Sequence, residues 1–222
     1  MTFTYDHPHP AVTTDIVIFT IRQNQLKALL IKRALAPFQG EWALPGGFVD
    51  LDESLDEGAR RELEEETGVT GVYLEQLYTF GRPERDPRER VITVAYFALI
   101  PSDRMELRAA SDAEGVSWFG LDELPELAFD HSEILGMAHE RLIAKLDYST
   151  IAFQFMPATF TLTELQSVYE LILRESVDKR NFRKGILALG LIEPTGGARR
   201  AGAHRPAKLY RVIDRSRVDV IK

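Results

Sequence analysis

Three glutamates, Glu62, Glu65 and Glu66, lie three and four residues apart in a stretch whose pattern is typical of a helix. Side chains at these spacings share one helix face, so the three carboxylates would repel one another unless a cation lay among them. Hard divalent ions such as Mg²⁺ prefer oxygen ligands and are often shared with substrate phosphates. The face therefore predicts a divalent-metal site or a solvated acidic surface, and its spacing alone does not separate the two.

The helix that carries these carboxylates has recognisable ends. Ser54 followed by Glu57 forms a capping box, which predicts a start at Leu55, and Gly68 is a natural stop. An apolar stripe at i, i+4 and i+8 would pack the helix on a sheet, and its members are Leu55, Ala59 and Leu63. The carboxylates and the packing stripe therefore lie on different faces of one helix.

The same stretch matches a longer pattern, G-x5-E-x7-R-E-U-x-E-E-x-G-U, in which U is a bulky apolar residue. Its fixed positions are Gly47, Glu53, Arg61, Glu62, Glu65, Glu66 and Gly68, with Leu63 and Val69 apolar. The segment resembles the box of the Nudix hydrolases at every specified position. The resemblance implies an α+β fold with a Nudix α/β/α sandwich and a mixed sheet. It also implies hydrolysis of a diphosphate linked to another moiety, with Mg²⁺ or Mn²⁺ as the cofactor.

The resemblance further implies roles for individual residues. The metal would be held by carboxylates of the helix and by the backbone carbonyl of a glycine, namely Glu62, Glu65, Glu66 and Gly47. The candidates for catalysis, either as a base or as a group that orders the carboxylate face, are Glu53, Arg61, Glu65 and Glu114. The general base varies among Nudix enzymes, so that role stays open.

An arginine-rich connection, GRPERDPRER, joins predicted strands at residues 70–80 and 91–100. It is either a solvated hairpin tip or a loop that reaches the phosphates or ribose of a ligand through Arg82, Arg85 and Arg88. The sequence TFGRPERDPR resembles the corresponding segment of ADP-ribose pyrophosphatases within the Nudix superfamily. That likeness favours ADP-ribose or a related nucleoside diphosphate sugar as the small-molecule partner.

The net charge of the 222-residue chain is −7, and it is unevenly divided. Residues 174–222 contain 13 Lys/Arg and 5 Asp/Glu, a net +8, whereas the other 173 residues contain 14 and 29, a net −15. A basic module beside an acidic body suggests contact with an anion. The absence of cysteine excludes disulfides and zinc–thiolate sites. Neither a signal peptide nor a membrane span is predicted, so we expect a cytoplasmic protein without a membrane partner.

The remaining elements follow from periodicity and turn residues. Further strands are predicted at residues 12–20, 26–33 and 116–119, with a hairpin loop at 22–25, and an amphipathic helix at 131–146. Residues 147–159, which include Pro157, are expected to form a boundary. We therefore expect a Nudix domain at 1–150, including the helix 131–146, and a second domain at 157–222.

The second domain has the pattern of two helices followed by a hairpin. Thr161 with Glu164, or Thr163 with Gln166, would cap the first helix, whose apolar stripe is Leu165, Val168, Leu171 and Ile172. Asp178 would cap the second helix, which would end at Gly190. Its inward-facing residues would be Phe182, Ile186 and Leu187. Strands at 191–193 and 207–213 would flank the tip GGARRAGAHRP. This order is the one expected of a winged helix-turn-helix.

Basic residues fall on the second helix and on the wing tip, the two places that would touch double-stranded DNA. They are Lys179, Arg180, Arg183, Lys184, Arg199, Arg200, His204 and Arg205. The phrases DKRNFRKGIL and HRPAKLYRV resemble the C-terminal domain of the Nudix-related (NrtR-like) transcriptional regulators of NAD metabolism and sugar use. Such regulators read paired half-sites, so a homodimer is expected.

Three functions remain open from the sequence. The first is an Mg²⁺-dependent pyrophosphatase of the ADP-ribose type joined to a DNA-binding domain in a transcriptional regulator. The second is a catalytically silent repressor of NAD or sugar metabolism that senses ADP-ribose. The third is a Nudix hydrolase whose basic tail makes dimer or protein contacts and never meets DNA. The complete box favours turnover, because regulators of this architecture often have eroded boxes.

Overall fold

A computed structural model describes residues 6–101, 115–200 and 206–221 of the chain. Contacts divide the chain into two compact units. The first takes in the described residues of Met1–Phe19, Lys27–Ala98 and Glu106–Ala138, and the second those of Thr20–Leu26, Leu99–Met105 and His139–Lys222. The division at residues 150 and 157 stays a prediction.

Seven strands form one sheet within the described ranges. They are β1 (Ala11–Arg22), β2 (Gln25–Lys32), β3 (Trp42–Ala43), β4 (Gly46–Phe48), β5 (Tyr73–Phe80), β6 (Val91–Ile100) and β7 (Val116–Gly120). The order is β3-β2-β1-β6-β5, with β4 paired to β1 and β7 paired to β2. The predicted strands are confirmed, although β1 and β2 meet at a tighter turn than expected. Gln23 and Asn24 both have positive φ there, which suits a two-residue hairpin.

The middle of this sheet is covered on both faces. Residues 13–20 of β1 and 93–100 of β6 are buried without interruption. Such continuous burial is expected for central strands, whereas a half-exposed strand alternates between buried and exposed side chains. The core of the first unit therefore lies around β1 and β6, and the loops at the strand ends are left to form a site.

Helix α1 (Leu55–Thr67) begins and ends where its sequence predicts. The Ser54 hydroxyl accepts a hydrogen bond from the Glu57 backbone N–H, and the Glu57 carboxylate accepts one from the Ser54 N–H. Gly68 adopts a left-handed conformation with φ of 68° and closes the last turn. Ala59 and Leu63 are buried and Leu55 is half-buried, so the predicted packing stripe is confirmed at its second and third positions.

Helix α2 (His131–Tyr148) also matches its prediction. The buried apolar side chains of this helix are Ile134, Leu135, Ala138, Leu142 and Leu146. A short 3-10 helix (Ile151–Phe155) follows at the predicted boundary. No helix in the described part of the chain combines the length and the apolar character needed to cross a bilayer.

The second unit contains α3 (Leu162–Leu173), α4 (Lys179–Ala188) and a hairpin of β8 (Ile192–Arg199) and β9 (Ala207–Val212). Of the two possible caps for α3, the structure uses Thr161 with Glu164. Asp178 caps α4 as predicted, through the backbone N–H of Asn181. The backbones of Phe160 and Tyr210 exchange two hydrogen bonds, which join the wing to the segment before α3.

Two expectations about this unit are wrong. Leu187 was expected to face inward, but 47% of its surface is exposed, since the buried side of α4 is narrow and centred on Ile186. Strand β8 extends well beyond residue 193 and takes in Gly196 and Gly197, which were assigned to the wing tip. A register shift between Pro194 and Ala198 accommodates the proline and glycines, and the pairing with β9 then continues to Arg199.

Candidate active site and nucleic-acid interface

The carboxylates of α1 are organised by Arg61. Its guanidinium donates two hydrogen bonds to Glu53, with Nε–Oε2 3.1 Å and Nη2–Oε1 2.8 Å. The same group donates to Glu62 at 2.7 Å and to Glu65 at 3.2 Å. It also reaches the Phe48 backbone carbonyl at 3.1 Å, which ties the helix to β4. Arg61 thus pairs with Glu53 and with two carboxylates of its own helix.

The carboxylates of this cluster have different electrostatic surroundings. Hydrogen bonds from Arg61 and from the Asp50 backbone N–H hold the pKa of Glu53 below its usual value. Burial raises the pKa of Glu62 although Arg61 opposes it. Burial also raises the pKa of Glu66, and repulsion from Glu62 and Glu65 adds to it. Glu66 is thus the carboxylate most in need of a cation, because no described residue donates a hydrogen bond to it.

Gly47 packs directly against the Glu62 carboxylate. A Cβ at position 47 would lie 2.3 Å from Glu62 Oε1, a distance that real atoms do not adopt. Glycine is therefore required at this position for Glu62 to keep its place. The requirement arises from space rather than from a positive φ at Gly47.

The donor atoms of this cluster are of the type that a divalent cation prefers. All are oxygen ligands, and the pKa values of Glu62 and Glu66 are raised first by burial and then by repulsion from neighbouring carboxylates, which such an ion would relieve. Within the described residues, however, no group of three His, Asp or Glu side chains is arranged to hold a metal ion. In this arrangement Glu62 and Glu65 pair with the Arg61 guanidinium, at 2.7 and 3.2 Å.

A cavity of about 170 Å³ opens beside the Gly46–Phe48 strand. Three arginines line it, namely Arg33, Arg85 and Arg88. The Arg33 guanidinium lies 4.7 Å from the centre of the Phe129 ring, and that of Arg88 lies 5.4 Å from Phe48 and 5.8 Å from Phe129. Cations and aromatic faces thus alternate along the wall, an arrangement suited to anionic and aromatic parts of one ligand.

The three predicted ligand-binding arginines have different positions. Arg88 lines the cavity and pairs with Asp86. Arg85 also lines it, but its side chain is only 3% exposed and is held by Asp130 and Asp15. Arg82 is absent from the cavity wall and pairs at 2.6 Å with Glu133 on α2. The structure therefore brings Arg85 and Arg88 to the cavity and leaves Arg82 on the surface.

Sequence reasoning missed several residues of this wall, including Arg33, Phe129, His131 and Asp15. Asp15 offered a signal, since it is a carboxylate inside the otherwise apolar or hydroxyl-bearing run VTTDIVIFT. A charge in such a strand is rarely buried without a partner, and its partner here is Arg85. Arg33 and Phe129 carried no comparable signal, because neither their spacing nor their neighbours set them apart.

The predicted DNA-binding residues are divided between α4 and the wing. Lys179, Arg180 and Lys184 are exposed on α4. Arg183 is half-buried and donates to the Thr163 hydroxyl at 3.1 Å. Arg199 lies in β8 and pairs with Glu164 of α3, so part of its charge is already neutralised within the unit.

Arg200 is exposed directly after β8. Glu114, His204 and Arg205 were also predicted as site residues, and all three lie outside the described residues. Among the described residues of the predicted interface, Lys179, Arg180 and Lys184 of α4 form an exposed basic surface.

Residues 11–137 match the model of the NUDIX domain, more than half of the chain. The chain belongs to the Nudix family. Residues 152–212 of this Nudix protein match a second model, the NrtR DNA-binding winged helix domain. The predicted combination of the two folds is confirmed.

Relatives of this Nudix protein share one or both of these parts. The chain is 43% identical over 210 residues to the "ADPR responsive transcriptional repressor NtrR" of Acinetobacter baylyi, covering 93% of the chain and 83% of that protein. It is 42% identical over 127 residues to an ADP-ribose pyrophosphatase of Methanocaldococcus jannaschii, covering 57% of the chain and 72% of that enzyme. The crystal structure of Shewanella oneidensis NrtR complexed with a 27mer DNA is also similar. It has a TM-score of 0.82 and 39% identity, and it covers 90% of this chain and 93% of that one.

Proposed function

We propose that this chain is an ADP-ribose-responsive transcriptional repressor that binds double-stranded DNA through its winged helix. The name of the Acinetobacter baylyi relative supports ADP-ribose as the ligand, and the complex of the Shewanella oneidensis protein supports DNA as the partner. Both similarities extend over nearly the whole chain. The proposed protein acts as a homodimer, and its domains are residues 1–150 and 157–222.

The observation that carries the ligand assignment is the alternating wall of the cavity beside the box. Guanidinium groups of Arg33 and Arg88 can meet the two phosphates of ADP-ribose, and the faces of Phe48 and Phe129 can meet its base. The buried Arg85 keeps the cavity wall in place rather than meeting the ligand itself, since its hydrogen bonds are already directed to two carboxylates.

We further propose that the Nudix domain hydrolyses ADP-ribose or a related nucleoside diphosphate sugar with Mg²⁺ or Mn²⁺. The metal would be held by Glu62, Glu65 and Glu66 and by the Gly47 carbonyl. When bound, it would neutralise the diphosphate and lower the pKa of the attacking water. Arg61 holds Glu53 in place beside these ligands. Glu53, Glu65 and Glu114 remain the candidates for the base. The complete box and the Methanocaldococcus jannaschii pyrophosphatase support this activity.

A catalytically silent sensor is the second candidate, and the name of the Acinetobacter baylyi relative, a repressor that responds to ADP-ribose, favours it. In such a protein the box would bind ligand without cleaving it, and the coupling to DNA would be unchanged.

Addition of ADP-ribose should release the protein from DNA. A repressor that responds to a ligand must bind DNA and ligand in different states, and such coupling typically changes affinity about 5–150-fold. The measurement is fluorescence anisotropy on a duplex selected by this protein from a random pool, titrated with and without ADP-ribose. Because coupling is reciprocal, the duplex should weaken ADP-ribose binding by the same factor in calorimetry. Equal DNA affinity at all ADP-ribose concentrations would refute the proposed function.

Replacement of the exposed Lys184 on α4 by alanine should weaken DNA binding for all duplexes alike. One lost phosphate contact should reduce the slope of log affinity against log salt by about 1. Lys32→Ala is the matched control, because Lys32 is an exposed lysine on β2 of the first unit. If both variants have the wild-type salt slope, Lys184 does not contact a phosphate. Complete absence of DNA binding in the wild type would instead support a tail that makes protein contacts.

A further inference from the structure

The corner before α2, residues 128–131 (AFDH), is joined to the strand that leads into the box. The Ala128 backbone N–H donates to the Trp42 carbonyl of β3 at 2.8 Å. Phe129 adopts a left-handed backbone with φ of 57°, which is uncommon for an aromatic residue. This backbone directs the Phe129 ring to the cavity wall and leaves Asp130 and His131 facing the interior.

His131 completes this connection through its side chain. The residue is only 4% exposed, and its Nδ1 accepts a hydrogen bond of 2.9 Å from the backbone N–H of Leu44. Burial lowers the pKa of His131, so the ring is neutral and carries its proton on Nε2. That nitrogen lies 3.6 Å from Asp15 Oδ1. The ring thus supplies an acceptor to Leu44 and turns its N–H toward a buried carboxylate.

Leu44 directly precedes the turn that presents Gly47 to Glu62. The Pro45 carbonyl accepts from the Ile16 N–H at 2.8 Å, and β4 pairs with β1 at Gly46 and Gly47. A Cβ at Gly46 would lie 2.2 Å from the Thr14 carbonyl, so the two backbones are in close contact. The turn is therefore held by β1 on one side and by His131 on the other.

Charged groups beneath the cavity fix His131 in turn. Arg85 donates two hydrogen bonds to Asp130, at 2.9 and 2.7 Å, and one to Asp15 at 3.1 Å. Asp130 is the neighbour of His131 in sequence, and Asp15 faces its Nε2. The corner, the arginine loop and β1 are thereby connected through one buried network, with His131 as its link to the box.

We infer that His131 is a positioning residue for the Nudix box. Through the Leu44 N–H it fixes the turn at residues 45–47, and hence the contact of Gly47 with the Glu62 carboxylate. The inference rests on the proposed function, because the site that His131 positions is the proposed ADP-ribose site. It assigns His131 no contact with the ligand and no proton transfer.

Backbone amide exchange tests the positioning without any ligand. Replacement of His131 by leucine keeps a side chain of similar size but removes the acceptor. Exchange should therefore become faster at Leu44 and at the amides that join the turn to β1, those of Ile16 and Gly47. His131→Asn restores an acceptor near the position of Nδ1 and should recover protection at all three amides. Faster exchange confined to Leu44, or equal exchange in wild type and His131→Leu, would overturn the inference.

Ligand binding supplies the second readout. ADP-ribose affinity, measured by calorimetry without metal, should fall about tenfold in His131→Leu and recover in His131→Asn, as for loss of a group that orients a binding residue. His139→Leu is the control, because His139 lies on the same helix but not on the cavity wall. Its affinity should stay at the wild-type value, and an equal loss in both leucine variants would overturn the inference. A wild type that binds no ADP-ribose contradicts the proposed function instead, and amide exchange then decides the role of His131.

Discussion

Glu66→Gln should abolish the release of AMP from ADP-ribose in the presence of Mg²⁺, with a loss of at least about a hundredfold in kcat. Glu66 is half-buried, accepts no hydrogen bond from a described residue and is repelled by Glu62 and Glu65. Glutamine keeps the shape of the side chain but removes the charge that would hold a divalent ion. The measurement is steady-state AMP release by the full-length wild type and the variant.

Glu64→Gln is the matched control for this change. Glu64 lies on the same helix, is exposed, and loses the same charge when it is replaced. Its turnover should equal that of the wild type. Equal turnover in all three proteins would remove Glu66 from the catalytic machinery. A wild type that binds ADP-ribose but releases no AMP would identify the box as a binding site and the protein as the silent sensor.

The same variant should also change stability with pH in a defined direction. The pKa of Glu66 is raised in the folded protein, so its ionised form is less favoured there than in the unfolded chain. The wild type therefore loses stability as pH rises above the unfolded pKa of about 4.3, whereas glutamine does not. Without metal, Glu66→Gln should melt at a higher temperature than wild type at pH 7, and the difference should vanish under acidic conditions.

Arg85→Ala should destabilise the first unit by about 3–5 kcal/mol, the usual effect of removing one partner from a buried ion pair. The Arg85 side chain is 3% exposed, and its loss leaves the carboxylates of Asp15 and Asp130 buried without their cation. Urea unfolding followed by tryptophan fluorescence measures the effect, because both tryptophans, Trp42 and Trp118, belong to this unit.

Arg82→Ala tests whether burial, rather than the mere presence of an ion pair, determines that loss. Its side chain is 63% exposed and pairs with Glu133, so its removal should cost about 0–1 kcal/mol. Arg85→Lys keeps the charge but lacks the forked geometry of the guanidinium. We therefore expect a loss of unfolding free energy between those of the two alanine variants. Equal losses for the two alanine variants would mean that the buried network contributes no more than a surface pair.

The sequence alone determined the elements whose signals are local. The caps at Ser54, Thr161 and Asp178 each depend on a hydrogen bond to a residue three positions away. Such bonds form whenever the helix forms, so residue types at fixed spacing are sufficient to predict them. The sequence also predicts the box, the basic second helix and the order of the two domains, because each is a contiguous pattern.

Only the tertiary structure decided which groups face one another across the fold. Leu44 and His131 are 87 positions apart, Asp15 and Arg85 are 70 apart, and no periodicity relates them. The sequence likewise did not separate Arg82 from Arg85, three residues further along the loop, although one is exposed and the other buried. Local patterns fix helices and turns because the interacting groups are close in the chain. The pairing of buried charges depends instead on which strands and loops the sheet brings together, and that is decided only when the core has packed.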